Sequence, residues 1–271
     1  MTSPQSSSAQ LAAAAAGHPA GRDAQPVAPQ PAAVAPLPAA APQPAVLAAT
    51  GLLKSYGAAT ALAGVDFRVA AGESVAIMGA SGSGKTTLLH CLAGIIRPDA
   101  GRVSLATPHG VVDVTGLGEK ERSRLRREAF GFVFQQGFLL PELTAVENVA
   151  LPLMLGGATR QAAEQSAASW LAALGLAGFE ARRLGQLSGG QAQRVAIARA
   201  QVTGASVVFA DEPTGALDSR TSAEVMDALI ASTTGRGKSL IVVTHDEDVA
   251  ARCSRVLQLA DGRIVDEAVT A

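Results

Sequence analysis

The sequence predicts an α/β fold: a mainly parallel sheet with an antiparallel β layer beside it and a helical insertion. Three observations carry this. A compact apolar run, Ser74 to Met78, feeds a glycine-rich loop, Gly79-Ala-Ser-Gly-Ser-Gly-Lys85-Thr86, and then a stretch with the spaced leucines of a half-buried helix. Two later apolar runs, Ser206 to Ala210 and Leu240 to Val243, end in polar residues, at the sheet edge where open α/β folds hold ligands. Between the glycine loop and the first of these, residues about 136 to 190 are poor in strand candidates and punctuated by alanine.

In chain order, residues 1 to 45 hold nine of the 14 prolines among many alanines, with Arg22 and Asp23 the only formal side-chain charges. Proline blocks helix continuation and the segment offers almost no large apolar side chains, so a disordered tail is expected there and the packed domain over 46 to 271. Gly51 to Tyr56, Val65 to Ala70 and Gly101 to Leu105 read as the antiparallel layer. Ser74 to Met78 is the strand before the loop, and Lys85 to Ile95 the helix after it. A short apolar run, Phe132-Val-Phe, ends in Gln135. Within the helical subdomain, about 136 to 190, Gln161 to Leu174 is a helix that Gly175 ends, and Gln191 to Val202 is a further helix behind Leu187-Ser-Gly-Gly.

Composition narrows the function. A formal net charge of -1 gives no global basic surplus, so no nucleic-acid partner is expected. Two isolated cysteines, Cys91 and Cys253, favour neither a disulfide framework nor a zinc site, and fit a reducing cytoplasm. No uncharged apolar run approaches the roughly 20 residues of a membrane helix. The start, polar and uncharged from Met1 to Ser8, lacks the pattern of a secretory signal, so no export is expected.

The glycine loop fits the phosphate-loop pattern at every fixed position. Backbone N–H groups from Gly79, Ala80, Ser81, Gly82, Ser83 and Gly84 can surround a triphosphate at little steric cost, Lys85 can reach the β and γ phosphates, and Thr87 adds a contact. Thr86 and Asp211 are the expected oxygen donors for Mg²⁺, the carboxylate direct or one shell out, with Gln135 suited to Mg²⁺ or water. Glu212 beside Asp211 is the candidate general base, and His245 the candidate γ-phosphate partner. Alone, Gln135 would be a loop glutamine and His245 an edge residue; the company of a triphosphate site turns both readings. Tyr56, the sole tyrosine, suits either stacking on adenine or core packing.

Ser188-Gly189-Gly190-Gln191 opens a helix, which makes a second anion-binding helix start in one chain. Tyr56, Gly79 to Thr86, Gln135, Leu187 to Gln191, Asp211-Glu212, Gly215-Ala-Leu-Asp218 and His245 together resemble the ATPase subunits of ABC transporters, in the right order over about residues 47 to 268. The resemblance implies a P-loop NTPase core of the ABC ATPase type, with ATP and Mg²⁺ bound. It implies a head-to-tail homodimer or heterodimer in which Ser188, Gly189, Gly190 and Gln191 of one copy close on ATP held by the other, with Asp218 at the seam. It also implies separately encoded membrane permease subunits as partners, and a cytoplasmic, peripheral place on the inner face of the cell membrane.

Phe132-Val-Phe-Gln135, Leu139 to Val149 and Ala210 to Ser219 resemble the branch serving lipoprotein release, macrolide export and cell division. In the family, docking uses the region from Gln135 to Asn148, which puts Leu139, Leu140 and Leu143 on the groove. The sequence departs from the family at Ala192, at Gly204-Ala205 and at Gln201, whose amide is expected to weaken a helix packed on the core. Two other functions stay open at this stage: a soluble ABC-type ATPase acting on nucleic acid or the ribosome, and a permease-linked mechanical regulator.

Overall fold

The computed structural model describes residues 44 to 270; the tail expected over 1 to 45 lies, up to residue 43, outside the described residues. The chain begins with a long antiparallel hairpin, β1 (Ala45–Tyr56) and β2 (Ala59–Ala70). Next come β3 (Ser74–Met78), α1 (Lys85–Leu92), β4 (Ala100–Thr107), β5 (Gly110–Asp113), α2 (Glu119–Glu128) and β6 (Phe130–Phe134). A strand-free stretch follows with α3 (Ala145–Leu155), α4 (Arg160–Ala173) and α5 (Gly189–Gln201). The remainder is β7 (Val207–Asp211), α6 (Ser219–Thr233), β8 (Ser239–Val243), α7 (Glu247–Ala250), β9 (Arg255–Ala260) and β10 (Arg263–Val269).

Two sheets result. The antiparallel one has the order β2-β1-β4-β5, and the segments expected at 51 to 56, 65 to 70 and 101 to 105 all fall inside it. The other has the order β10-β9-β3-β8-β7-β6, parallel from β9 to β6, with β10 antiparallel at its edge. Every residue of β3 and β8 is buried, as a parallel strand covered on both faces requires. Alternate side chains divide between two cores. Val75, Ile77, Val207, Phe209, Ile241 and Val243 pack with α1 and the antiparallel layer, while Ala76, Met78, Val208, Ala210, Leu240 and Val242 pack with α3 to α6. This period-2 division fixes strand register, because a slip of one residue would exchange the two faces.

Helix ends follow local chemistry. α1 stops three residues before the expected Ile95: Gly94 turns left-handed at φ 64° and the Ile95 and Ile96 amides fold back onto the His90 carbonyl. α4 starts one residue before the expected Gln161, capped by the Thr159 hydroxyl, and Gly175 at φ 75° ends it. Gln201 is buried on α5 as expected, but its amide donates to the Thr233 hydroxyl at 2.5 Å, so the polar group is satisfied in place.

Candidate nucleotide site

Three adjacent parallel strands, β3, β8 and β7, deliver their carboxyl ends to one edge. The loop after β3 carries residues 79 to 84, and Gly84 at φ 105° caps α1. A Cβ at Gly84 would lie 2.2 Å from the Ala61 carbonyl oxygen, so the tight approach of loop to hairpin itself demands glycine. Above the loop lies a cavity of about 740 Å³ lined by Tyr56, Ala61, Gly79 to Gly82, Gly84 to Thr87, Glu212, Val243 and His245. The Lys85 ammonium stays over the loop, donating to the Gly79 and Ala80 carbonyls at 2.8 and 2.9 Å. Ser83 is turned inward, its buried hydroxyl without a partner among the described residues.

At the end of β7, burial pushes the Asp211 carboxyl above its ordinary range against the pull of His90, Thr86 and Lys85, and neighbouring Glu212 adds to the rise. A half-buried carboxylate beside a threonine hydroxyl is a pair of hard oxygen donors that suits Mg²⁺. Glu212 takes a left-handed backbone at φ 49°, pinned by its amide to the Val243 carbonyl at 2.9 Å. Strain of this kind in a non-glycine residue persists only where the surroundings impose it. It brings the carboxylate to 2.9 Å from His245 Nδ1, and this hydrogen bond, with the charge behind it, raises the imidazole above its ordinary range.

The remaining sequence-derived residues stand elsewhere. Gln135 is exposed outside the cavity lining, its amide against Gly215, where an added Cβ would come within 2.9 Å of Nε2. Tyr56 is half exposed on the cavity rim, with the Lys54 ammonium 5.5 Å from its ring centre, which leaves core packing out of account. Ser188 and Gln191 form a capping box on α5: the Ser188 amide donates to Gln191 Oε1 at 2.9 Å and the Gln191 amide to the Ser188 hydroxyl at 3.3 Å. Asp218 caps α6, accepting from the Thr221 amide and hydroxyl, which hold its carboxyl below the usual range. Gly190, buried, abuts Thr221 and Gly189 abuts Leu217, so the two helix starts adjoin, with Ser188, Gly189 and Asp218 exposed. Unlike Tyr56, none of Gln135, Ser188, Gly189, Gly190, Gln191 and Asp218 lines the cavity of its own chain.

Sequence reasoning passed over Ala61, whose small side chain gives no chemical signal, and His90, whose charge acts on Asp211. His90 was findable: it stands four residues after Thr86 on α1, hence on the same helix face.

Comparison with known proteins agrees with this geometry. Residues 62 to 215 match the family model described as ABC transporter. The chain is 46% identical to a macrolide export ATP-binding/permease protein MacB of Nitrosomonas europaea over 84% of its own length, and 44% identical to the lipoprotein-releasing system ATP-binding protein LolD of Legionella pneumophila over 81%. It spans about a third of the first relative (34%) and nearly all of the second (96%). The solved dimeric ATP-binding cassette MJ0796, in a post-hydrolysis state bound to ADP and Pi, superposes with a TM-score of 0.74 at 37% identity, covering 83% of this chain and 99% of that one. A phosphate loop on β3, paired acids after β7 and a histidine after β8, on a fold shared with such cassettes, agree with sequence identity well above 30% over most of the chain: this protein belongs to the ABC transporter family.

Proposed function

We propose that this chain is the ATP-binding and ATP-hydrolysing subunit of an ABC transporter, driving a separate permease by closure and opening of an ATPase dimer. One observation carries the reading: at the ends of three neighbouring strands, Lys85, Thr86, Glu212 and His245 converge on a cavity that a glycine loop floors, with Asp211 hydrogen-bonded to Thr86 beside it. In this site the loop amides and Lys85 bind the phosphates, and Tyr56 stacks on the adenine. Thr86 and Asp211 would hold Mg²⁺, with Gln135 reaching in from the end of β6, and the cation would neutralise charge on the β and γ phosphates. Glu212 polarises the attacking water, an effect worth about 10² to 10⁴ in rate. His245, held by Glu212, donates to the γ-phosphate.

The patch on which Ser188, Gly189 and Asp218 stand exposed, with Gly190 and Gln191 packed behind them, supports a second copy as the other wall of the site. Two helix starts that serve no cavity in their own chain suit a phosphate carried by a partner. The dimeric cassette that superposes on this chain supports the same arrangement. ATP across the seam favours the closed dimer, and hydrolysis removes that preference. Phe138, Leu140, Met154 and Leu155, exposed on the Gln135 side of the helical region, suit docking on the permease. Leu139, expected on that groove, instead packs into the core. No helix of the described residues is long and apolar enough to cross a membrane. A peripheral seat on the cytoplasmic face of the membrane therefore suits a subunit whose partners span it.

Replacing Glu212 with Gln tests the reading. ATP binding is expected to persist, turnover to fall by about 10² or more, and light scattering to show an ATP-dependent dimer. Full turnover by a protein that stays monomeric would refute it.

A further inference from the structure

Helix α5 grips the turn that follows Gln135 by its backbone. Gln193, 4% exposed, donates to the Phe134 carbonyl at 2.9 Å. Arg199, six residues further along the helix, donates to the Phe138 carbonyl at 2.7 Å and to the Gly137 carbonyl at 2.5 Å. Among the described residues no carboxylate pairs with Arg199, so its fork is given to these two oxygens. The carbonyls belong to successive left-handed residues, Gly137 at φ 65° and Phe138 at φ 45°. Phe138 bears the strain of that conformation while 62% of its surface is exposed and its ring meets only the edge of Phe134, at 5.1 Å between centroids. The guanidinium is the contact made to the strained backbone itself. Upstream of this turn, Gln135 lies against Gly215, whose amide donates to the Glu212 carbonyl at 3.1 Å.

We propose that Arg199, with Gln193 beside it, is a positioning residue for the hydrolysis assigned above: it holds the Gly137-Phe138 turn in its strained form and thereby keeps Gln135 against the Glu212 loop. Lysine cannot replace it, since an ammonium lacks the planar fork that spans two carbonyls. The same guanidinium ties the turn to the helix that begins at Ser188, 11 residues and about 16 Å away along a rigid rod. The position of the helix start is thus transmitted to Gln135. The proposal rests on the ATPase reading for its effect on rate, but not for its effect on the turn.

The test uses the full chain with Arg199→Lys, Gln135→Ala and the two combined. Hydrogen exchange of residues 136 to 143 is expected to accelerate about tenfold in Arg199→Lys, with the α4 amides unchanged as an internal control of folding. ATP affinity by calorimetry is expected to stay within about twofold while kcat falls about tenfold. On the Gln135→Ala background the same substitution is expected to cost less than about twofold, because the two act as one unit. Unchanged exchange over 136 to 143, full kcat despite a loosened turn, or the whole loss repeated on the Gln135→Ala background would each overturn it. A parent chain that hydrolyses no ATP would overturn the function proposed above, and the exchange result would still decide whether Arg199 holds the turn.

Discussion

Two glycines near the site bear opposite consequences for substitution. At Gly84 an added Cβ meets backbone, the Ala61 carbonyl oxygen at 2.2 Å, in a left-handed conformation at φ 105°. Neither side can yield without moving the hairpin or the loop. Gly84→Ala is therefore expected to cost about 2 kcal/mol or more in urea denaturation and to abolish ATP binding. At Gly215 the obstacle is the end of a flexible side chain, Gln135 Nε2, in a backbone that is not left-handed. Gly215→Ala is expected to change stability by less than about 1 kcal/mol, while displacing Gln135 and lowering kcat at unchanged ATP affinity. If both variants lose stability equally, the assignment of Gln135 to that contact is wrong. Lys85→Ala separates binding from folding at this scale. The ammonium is expected to be needed for ATP binding, read by calorimetry, but not for the thermal midpoint of the free protein.

At the scale of elements, α5 serves two purposes at its first turn. The capping box of Ser188 and Gln191 satisfies amide groups that would otherwise lack partners, and Ser188 stands exposed on the patch proposed to meet a second copy. Ser188→Ala is expected to cost about 1 kcal/mol of stability in the ATP-free chain, and to weaken ATP-dependent dimerisation beyond that. Ser188→Asp restores the cap yet sets a negative charge against phosphate. It is expected to recover stability in denaturant titration and still fail to dimerise, a divergence that capping alone does not produce. The elements legible from sequence were those whose burial writes a pattern. The apolar runs of β3, β7 and β8 are the buried middle of the parallel sheet, and the Gly175 stop ends α4, while its start at Arg160 behind the Thr159 cap lies one residue before the expected Gln161. α2 was missed because none of its residues is buried, so it is a run of charged residues broken only by Ser123 and Leu125, without apolar period. β10 was missed because it lies at the sheet edge, with Val265 and Val269 exposed among acids. The Gln135 turn was illegible for another reason: a guanidinium from a helix more than 60 residues away sets its backbone, and no local signal records that.

Over the whole molecule, the acids that sit outside the cavity set the response to pH. Hydrogen bonds from Arg126 and Arg122 hold Glu119 down to about 2, from an ordinary value of 4.5. Glu147, held by the Thr144 amide and hydroxyl, Asp99, held by Lys54, Asp113, held by Thr115, and Asp218, held by Thr221, are likewise below their usual range. For each, the folded state binds its proton less readily than the unfolded chain. Their stabilisation is full above the unfolded values and is lost as pH falls through the folded ones. Asp211 runs the other way: burial raises it, so its cost to the fold eases on acidification. His245, raised by Glu212, adds stability below its unfolded value that fades as pH climbs through the folded one; because the imidazole is mostly exposed, that contribution is small. Five carboxyls against one decide the direction, so the thermal midpoint is expected to be level near neutrality and to drop between about pH 4.5 and pH 2. Glu119→Gln is expected to flatten the lower part of that drop, because Glu119 is the group carried furthest, while Asp211→Asn is expected to raise the midpoint at neutral pH by removing a buried charge. Scanning calorimetry of the three proteins across that range checks both. A neutral-pH loss in Asp211→Asn would mean that the carboxylate is held by favourable contacts, and the cation site proposed around it would then lose the strained acid that argues for it.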